Sequence, residues 1–100
     1  MKYIKDMVNH IEEEIEGARE YAEKYVEYKA KGNVAKASKY AEMANDELRH
    51  AMIQHEWANQ SIDELEKIYT PPEHMMEVWR KAHRDFVEKV AWIKQMLALK

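Results

Sequence analysis

Glu27-Tyr28-Lys29-Ala30-Lys31-Gly32-Asn33-Val34-Ala35-Lys36 decides how this chain folds, because it is the first interruption in a sequence otherwise patterned for long helices. Glycine suits the end of a helix and asparagine opens the next one well. The turn is placed at Lys31 to Asn33. A connection that short makes the two flanking helices antiparallel neighbours. Before the turn, Ile4, Met7, Val8, Ile11, Ile15, Ala18, Tyr21, Ala22 and Tyr25 recur in steps of three and four, the spacing of one helical face. The pattern predicts a first helix from about Tyr3 to Ala30. After the turn, Ala37, Tyr40, Ala41, Ala44, Leu48, Ala51, Met52, His55, Ala58, Ile62, Leu65 and Tyr69 predict a second helix from about Val34 to Tyr69. Met43, His50, Gln54 and Trp57 form a strip beside this face, with Trp57 read as an interface residue. At 1.5 Å per residue the second helix spans about 50 Å.

Thr70-Pro71-Pro72-Glu73 is the second break, since proline tolerates a first helical turn but not an interior. A third helix follows from about Glu73 to Leu99. Its face is Met75, Met76, Trp79, Ala82, His83, Phe86, Val90, Ile93 and Leu97, suited to folding back on the second helix or to packing on another subunit. Strand-type alternation is nowhere sustained. The expected fold is all-α, a single domain over residues 1–100, an antiparallel hairpin plus a third helix.

The totals narrow the function. Sixteen basic and 19 acidic side chains leave a net charge of −3, so no basic face for nucleic acid is implied. The chain has no cysteine, which removes disulfides and thiolate chemistry. The start, Met1-Lys2-Tyr3-Ile4-Lys5-Asp6, lacks the apolar centre of a signal peptide. No apolar run approaches a membrane span, and a cytoplasmic location is expected. The two glycines and two prolines read as punctuation.

One polar position breaks the apolar stripe of the first helix. Glu14 lies three residues after Ile11 and four before Ala18, and a carboxylate on such a seam is costly unless paired or metal-bound. In the second helix, Glu47 and His50 are three apart, so they point the same way and can reach one ion. Folding the helices together at Gly32-Asn33 brings Glu14 level with His50, within about one residue or 1.5 Å. Two carboxylates and one imidazole are half of the four-carboxylate, two-imidazole set of a bundle di-metal site. A two-fold dimer would supply the other half. Such oxygen-rich ligation with open positions suits Fe(II) and O₂ chemistry, with Mn or Zn as other occupants. The plainer reading of Glu47 and His50 is an ordinary surface pair, and of Glu14 a register-setting polar residue. Tyr21 and Tyr40 lie a layer or two away; core packing is the plainer role, hydrogen bonding to ligands or electron donation the sharper one. His55 and His83 fall on apolar faces and read as satisfied core histidines, the methionines as core filler. His10 and His74 carry no evident partner.

At these residues the sequence resembles the encapsulated ferritins, short members of the ferritin-like superfamily. The likeness lies in Asp46-Glu47-x-x-His50-Ala51-Met52 with Glu56-Trp57, similar to that family's metal-binding helix. It also lies in Glu13-Glu14-Ile15-Glu16 with Tyr21, similar to the acidic helix that faces it. The resemblance implies a ferritin-like four-helix bundle completed by dimerisation, with dimers closing into a ring. It implies a di-iron ferroxidase centre at the dimer interface, with Glu14, Glu47 and His50 as ligands, Tyr21 beside the centre, and Glu13 and Glu16 as carboxylates that admit ions. It also implies an encapsulin shell protein as partner, and hence a nanocompartment inside the cytoplasm. Three features depart from the family pattern. The turn is a few residues longer. Glu20 stands where the family has an aromatic residue. The last residues, Gln95-Met96-Leu97-Ala98-Leu99-Lys100, do not resemble a cargo-loading peptide.

The function expected is therefore an iron-oxidising ferritin-like enzyme that converts Fe(II) to Fe(III) with O₂ for storage or detoxification. The alternatives are a non-catalytic oligomeric helical module, with Glu14 and Glu47 setting register, and a Zn- or Mn-binding protein without redox turnover. No nucleic acid or membrane partner is expected.

Overall fold

The computed structural model describes residues 2–99, with side chains from Ile4 to Leu99. Three helices follow in order: α1 over Lys2–Ala30, α2 over Val34–Ile68 and α3 over Glu73–Leu97. No strand occurs among the described residues. The bend between α1 and α2 is built as its residues dictate. Gly32 has φ of +79°, the left-handed conformation that glycine takes without a Cβ penalty. Gly32 N–H donates to the Lys29 carbonyl at 3.0 Å and Asn33 N–H to the Tyr28 carbonyl at 2.9 Å, the paired bonds of a Schellman motif. Asn33 then caps α2, its Oδ1 accepting from Lys36 N–H at 3.1 Å. One residue thus closes one helix and opens the next, and this sets the two antiparallel.

Pro71 and Pro72 stop α2 and start α3. Proline lacks the N–H needed inside a helix, and its fixed φ suits the first turn of the next. Pro72 is the N-cap of α3, and its carbonyl accepts from Met75 and Met76 N–H. Tyr69, expected as the last residue of the second helix, is already extended, at φ −163° and ψ 167°. At its far end α3 stops at Leu97, two residues short of the expected Leu99. There the Leu99 carbonyl accepts from Tyr25 Oη at 2.8 Å and from Lys29 Nζ at 2.6 Å. The end of α3 thereby lies beside the end of α1, and α3 runs parallel to α1 and antiparallel to α2.

The result is an up–down–up helical bundle, 55 Å long and less than 20 Å across. Its core joins Ile4, Val8, Ile11, Ile15, Ala18 and Ala22 of α1 with Ala44, Leu48, Ala51, Ala58 and Ile62 of α2. Met75, Trp79 and Ile93 bring α3 into the same cluster. Ala18, Ala22, Ala44, Ala51 and Ala58 are all fully buried, so the hairpin seam is made largely of methyl groups. Ile93 is also fully buried, and burying a side chain of that size contributes about 1.5–3 kcal/mol. The stripe read for the second helix is too broad in two places. Met52 is 46% exposed and Tyr69 38% exposed, since neither faces the seam that α1 and α3 cover.

Candidate metal centre

Glu14 projects from α1 and Glu47 and His50 from α2, one helical turn apart on the same side. One ligand atom from each of the three lies within 4.8 Å of the other two. His50 Nδ1 is 3.8 Å from Glu14 Oε2, so the two helices come level where their distances from the bend require. Two donors on opposite sides of a single first-row ion stand about 4.2 Å apart. Donors at a right angle stand about 3 Å apart, so the three side chains must draw in by up to roughly 1–2 Å to hold one ion.

The electrostatics carry the mark of a site with too many acids. Glu47 has its pKa raised, first because it shares a hydrogen bond with the Glu14 carboxylate, then by burial, then by the Glu14 charge. The charge of His50 pulls the other way. A neighbouring carboxylate disfavours the charged form, so Glu47 keeps its proton to a higher pH than a lone glutamate does. A divalent cation would replace that proton and satisfy both carboxylates.

Gly17 completes the geometry. A Cβ built there would stand 3.2 Å from Glu47 Oε2 and 3.7 Å from its Cδ. The missing side chain is the space into which the Glu47 carboxylate fits. Gly17 is therefore no punctuation: it lies inside α1 without interrupting it. His10, which had no evident partner in the sequence, places Nε2 3.9 Å from Glu14 Oε1. Its spacing of four residues before Glu14 is the signal that could have found it.

The other residues singled out by the sequence lie farther off. Tyr21 is beside Tyr40, with ring centroids 6.2 Å apart, and Tyr40 stacks on Tyr28 at 5.6 Å. These tyrosines continue the hairpin face from the centre toward the bend. Glu13 is exposed. Glu16 is engaged by Arg19 through a bidentate hydrogen bond. That bond, and then the charges of Arg19 and of Lys89 on α3, lower its pKa. Two residues turn a helix by about 200°, so Glu16 faces α3 while Glu14 faces the seam with α2. The structure brings Glu14, Glu47 and His50 together and does not bring Glu16 to them.

The open side of the centre is as informative as its ligands. α3 covers the other face of the hairpin, where Trp79 and Phe86 meet His55. On the ligand side, Asp6, Met7, His10, Gln54 and Trp57 line an open groove next to the centre. Trp57 is 63% exposed and Met43 40% exposed. Gln54 Oε1 is buried without a hydrogen-bond donor.

Comparison of the chain with family models, with curated proteins and with solved structures finds no match. No helix among the described residues is long and apolar enough to cross a membrane.

Proposed function

We propose that this chain is one half of a ferritin-like di-iron ferroxidase, and that two copies complete the centre. The observation that carries the reading is the convergence of Glu14, Glu47 and His50 within 4.8 Å across the hairpin, on a face that α3 leaves open. The donor set fits iron as substrate: two carboxylates and an imidazole supply hard oxygen ligands with one nitrogen. Gly17 makes room for the Glu47 carboxylate beside Glu14.

In this reading Glu14 and Glu47 would hold Fe(II) as substrate, the ion taking the place of the proton that Glu47 keeps. His50 ligates through a neutral nitrogen. His10, with Nε2 3.9 Å from Glu14 Oε1, would have to close on that carboxylate to orient it, a role that outer partners of metal ligands commonly fill. Two Fe(II) would each give one electron to one O₂, which takes up two protons and leaves as hydrogen peroxide, while the protein contributes ligands and placement. Tyr21 lies toward the bend from the centre, placed to donate an electron or to pack; Glu13 is an exposed carboxylate on the approach. The donorless Gln54 Oε1 and the exposed Trp57 and Met43 support a second copy on this face, since a buried acceptor without a partner costs about 1–3 kcal/mol. A ring of such dimers, and an encapsulin shell around them, rest on the resemblance alone.

A second reading has one observation in its favour. Glu47, its pKa raised by a hydrogen bond to the Glu14 carboxylate, and His50, 3.8 Å from Glu14, satisfy one another without an ion, as a register-setting polar cluster would. A Zn or Mn site without turnover uses the same ligands. Anaerobic loading with Fe(II) followed by air separates the three. A ferric absorbance that grows with turnover supports the ferroxidase. Binding without turnover indicates a non-redox metal protein, and no binding indicates the structural cluster.

A further inference from the structure

A second group of nitrogen ligands lies between α2 and α3, on the face of α2 turned away from Glu47 and His50. His55 Nε2 and His83 Nδ1 are 2.9 Å apart. His55 is partly buried, its ring parallel to Phe86 at 4.1 Å and close to Trp79 at 5.5 Å. Its other nitrogen, Nδ1, is 3.4 Å from the side-chain amide of Asn59. His83 is exposed. Without an ion, the two rings share one proton in a hydrogen bond between helices.

We propose that His55 and His83 form a bis-imidazole site for a divalent transition-metal ion of the Cu(II) or Ni(II) class, joining α2 to α3. The proposal stands apart from the iron reading and uses none of its ligands.

Distance is the first argument. Two nitrogens bound at about 2.05 Å to one ion are separated by about 2.9 Å when the angle at the metal is a right angle, and by about 3.3 Å in a tetrahedron. The observed 2.9 Å matches the right-angle, tetragonal case, which Cu(II) and Ni(II) prefer. To bind one ion, the exposed His83 ring has to rotate out of its hydrogen bond to His55 so that both lone pairs meet at the metal.

The second argument is protonation. An imidazole must be neutral to ligate. Burial, and then the charge of His83, hold the His55 pKa below its usual value, which favours the neutral ring, and its one proton need only stand on Nδ1 for Nε2 to ligate.

Asn59 supplies the third. As placed, its amide nitrogen faces His55 Nδ1, which makes Nδ1 the acceptor and leaves the proton on Nε2. Half a turn of the Asn59 amide puts Oδ1 there instead. Nδ1–H then donates to Oδ1, and the Nε2 lone pair is free. Metal-bound histidines are commonly held in this way, by an oxygen on the other ring nitrogen.

The surroundings choose the ion. Arg80 and Arg84 line the shallow pocket beside His83 together with Asn59 and Trp79; Glu12 and Asp85 line the separate pocket on the His55 side, and among the described residues no carboxylate groups with the two imidazoles as a third ligand. Arg80 turns its guanidinium to Glu73 Oε1 at 2.7 Å and to the Met76 carbonyl at 3.2 Å. A hard ion that needs carboxylates, such as Mg²⁺ or Mn²⁺, has no ligands here. A borderline ion that bonds strongly to imidazole does, with water in its remaining positions.

The test uses Cu²⁺ on the full chain carrying Glu14→Ala, Glu47→Ala and His50→Ala, so that the other centre is silent. Expected are one tight Cu²⁺ per chain, an electron-spin spectrum split by two nitrogens, and a melting temperature raised by the ion, since a ligand that binds only the folded state stabilises it. Adding His83→Gln, an exposed position, should weaken Cu²⁺ binding at least about tenfold and abolish the rise in melting temperature. Adding His55→Phe keeps the stack on Phe86 and should do the same, with helicity by circular dichroism confirming the fold. Cu²⁺ bound as tightly in His83→Gln, or a spectrum showing one nitrogen or none from these rings, overturns the proposal. Fe(II) oxidation by His83→Gln in the otherwise unaltered chain should equal that of the parent, so the two readings fail separately.

Discussion

Replacing Gly17 by alanine should raise stability and lower metal affinity at once. A glycine inside a helix costs about 0.8–1 kcal/mol relative to alanine, and α1 runs unbroken through Gly17. The new methyl would stand 3.2 Å from Glu47 Oε2, a few tenths of an ångström inside ordinary contact. The atom it meets is the tip of a flexible, partly exposed side chain, so Glu47 retreats and the helix keeps most of its gain. For a 100-residue chain about 1 kcal/mol corresponds to a rise in melting temperature of about 4–8 °C. The retreat moves a ligand oxygen away from Glu14 and His50, and disturbances of this kind in the setting of a ligand cost about 10–100-fold in metal affinity. The assays are thermal unfolding in chelator and anaerobic Fe(II) titration of the same preparations. If Gly17→Ala binds Fe(II) as tightly as the parent, the space at Gly17 serves no ligand and the argument from it fails. If the variant instead unfolds at a lower temperature, the Glu47 carboxylate is held rigidly and the displacement argument fails.

Glu14→Ala, Glu47→Ala and His50→Ala should each remove most Fe(II) oxidation, while Glu12→Ala, exposed and off the seam, should leave it unchanged; stopped-flow absorbance after mixing with aerated Fe(II) measures all four. In the metal-free protein Glu47 binds its proton more tightly when folded, so stability should fall as pH rises from the ordinary glutamate range through the raised value. Glu47→Gln should flatten that slope, as melting temperatures between pH 4.5 and 7.5 would show. His55 shifts in the opposite sense: its pKa is lowered on folding, so its contribution is complete above the usual imidazole value of about 6.5 and is lost as pH falls below it. His55→Phe should remove this loss, seen by comparing melting temperatures at pH 8 and pH 5.5 in chelator.

The hairpin was legible because its signals are local. Gly32 and Asn33 specify a left-handed residue and a cap, and both appear in those roles. Once the bend is placed, the rise per residue alone brings Glu14 level with His50, and the 3.8 Å contact follows. The placement of α3 was not legible. Its apolar stripe reads as folding back on the second helix or packing on another subunit, whereas α3 packs chiefly along α1, because Val8, Ile11 and Ile15 have a second edge to cover. His55 and His83 illustrate the same limit, since each looks like a core histidine until α3 is docked and the two nitrogens meet. Gly17 was missed for another reason. A glycine read along the chain marks a break, while its use here is visible only when the opposite helix delivers Glu47 to it.

The most direct test of the central claim, that Glu14, Glu47 and His50 of two copies share iron, is sedimentation at fixed protein concentration, first with chelator and then with Fe(II) under anaerobic conditions. In the proposed dimer without metal, four carboxylates would meet across a partly apolar seam, where charges interact more strongly than in water. Fe(II) that binds the dimer better than the monomer shifts the equilibrium toward dimer by mass action. The account predicts a mass that at least doubles on adding Fe(II), at one iron per chain, with no change in Glu47→Ala. Iron bound at one per chain with the mass unchanged would place all the ligands of each ion in a single copy and contradict the shared centre.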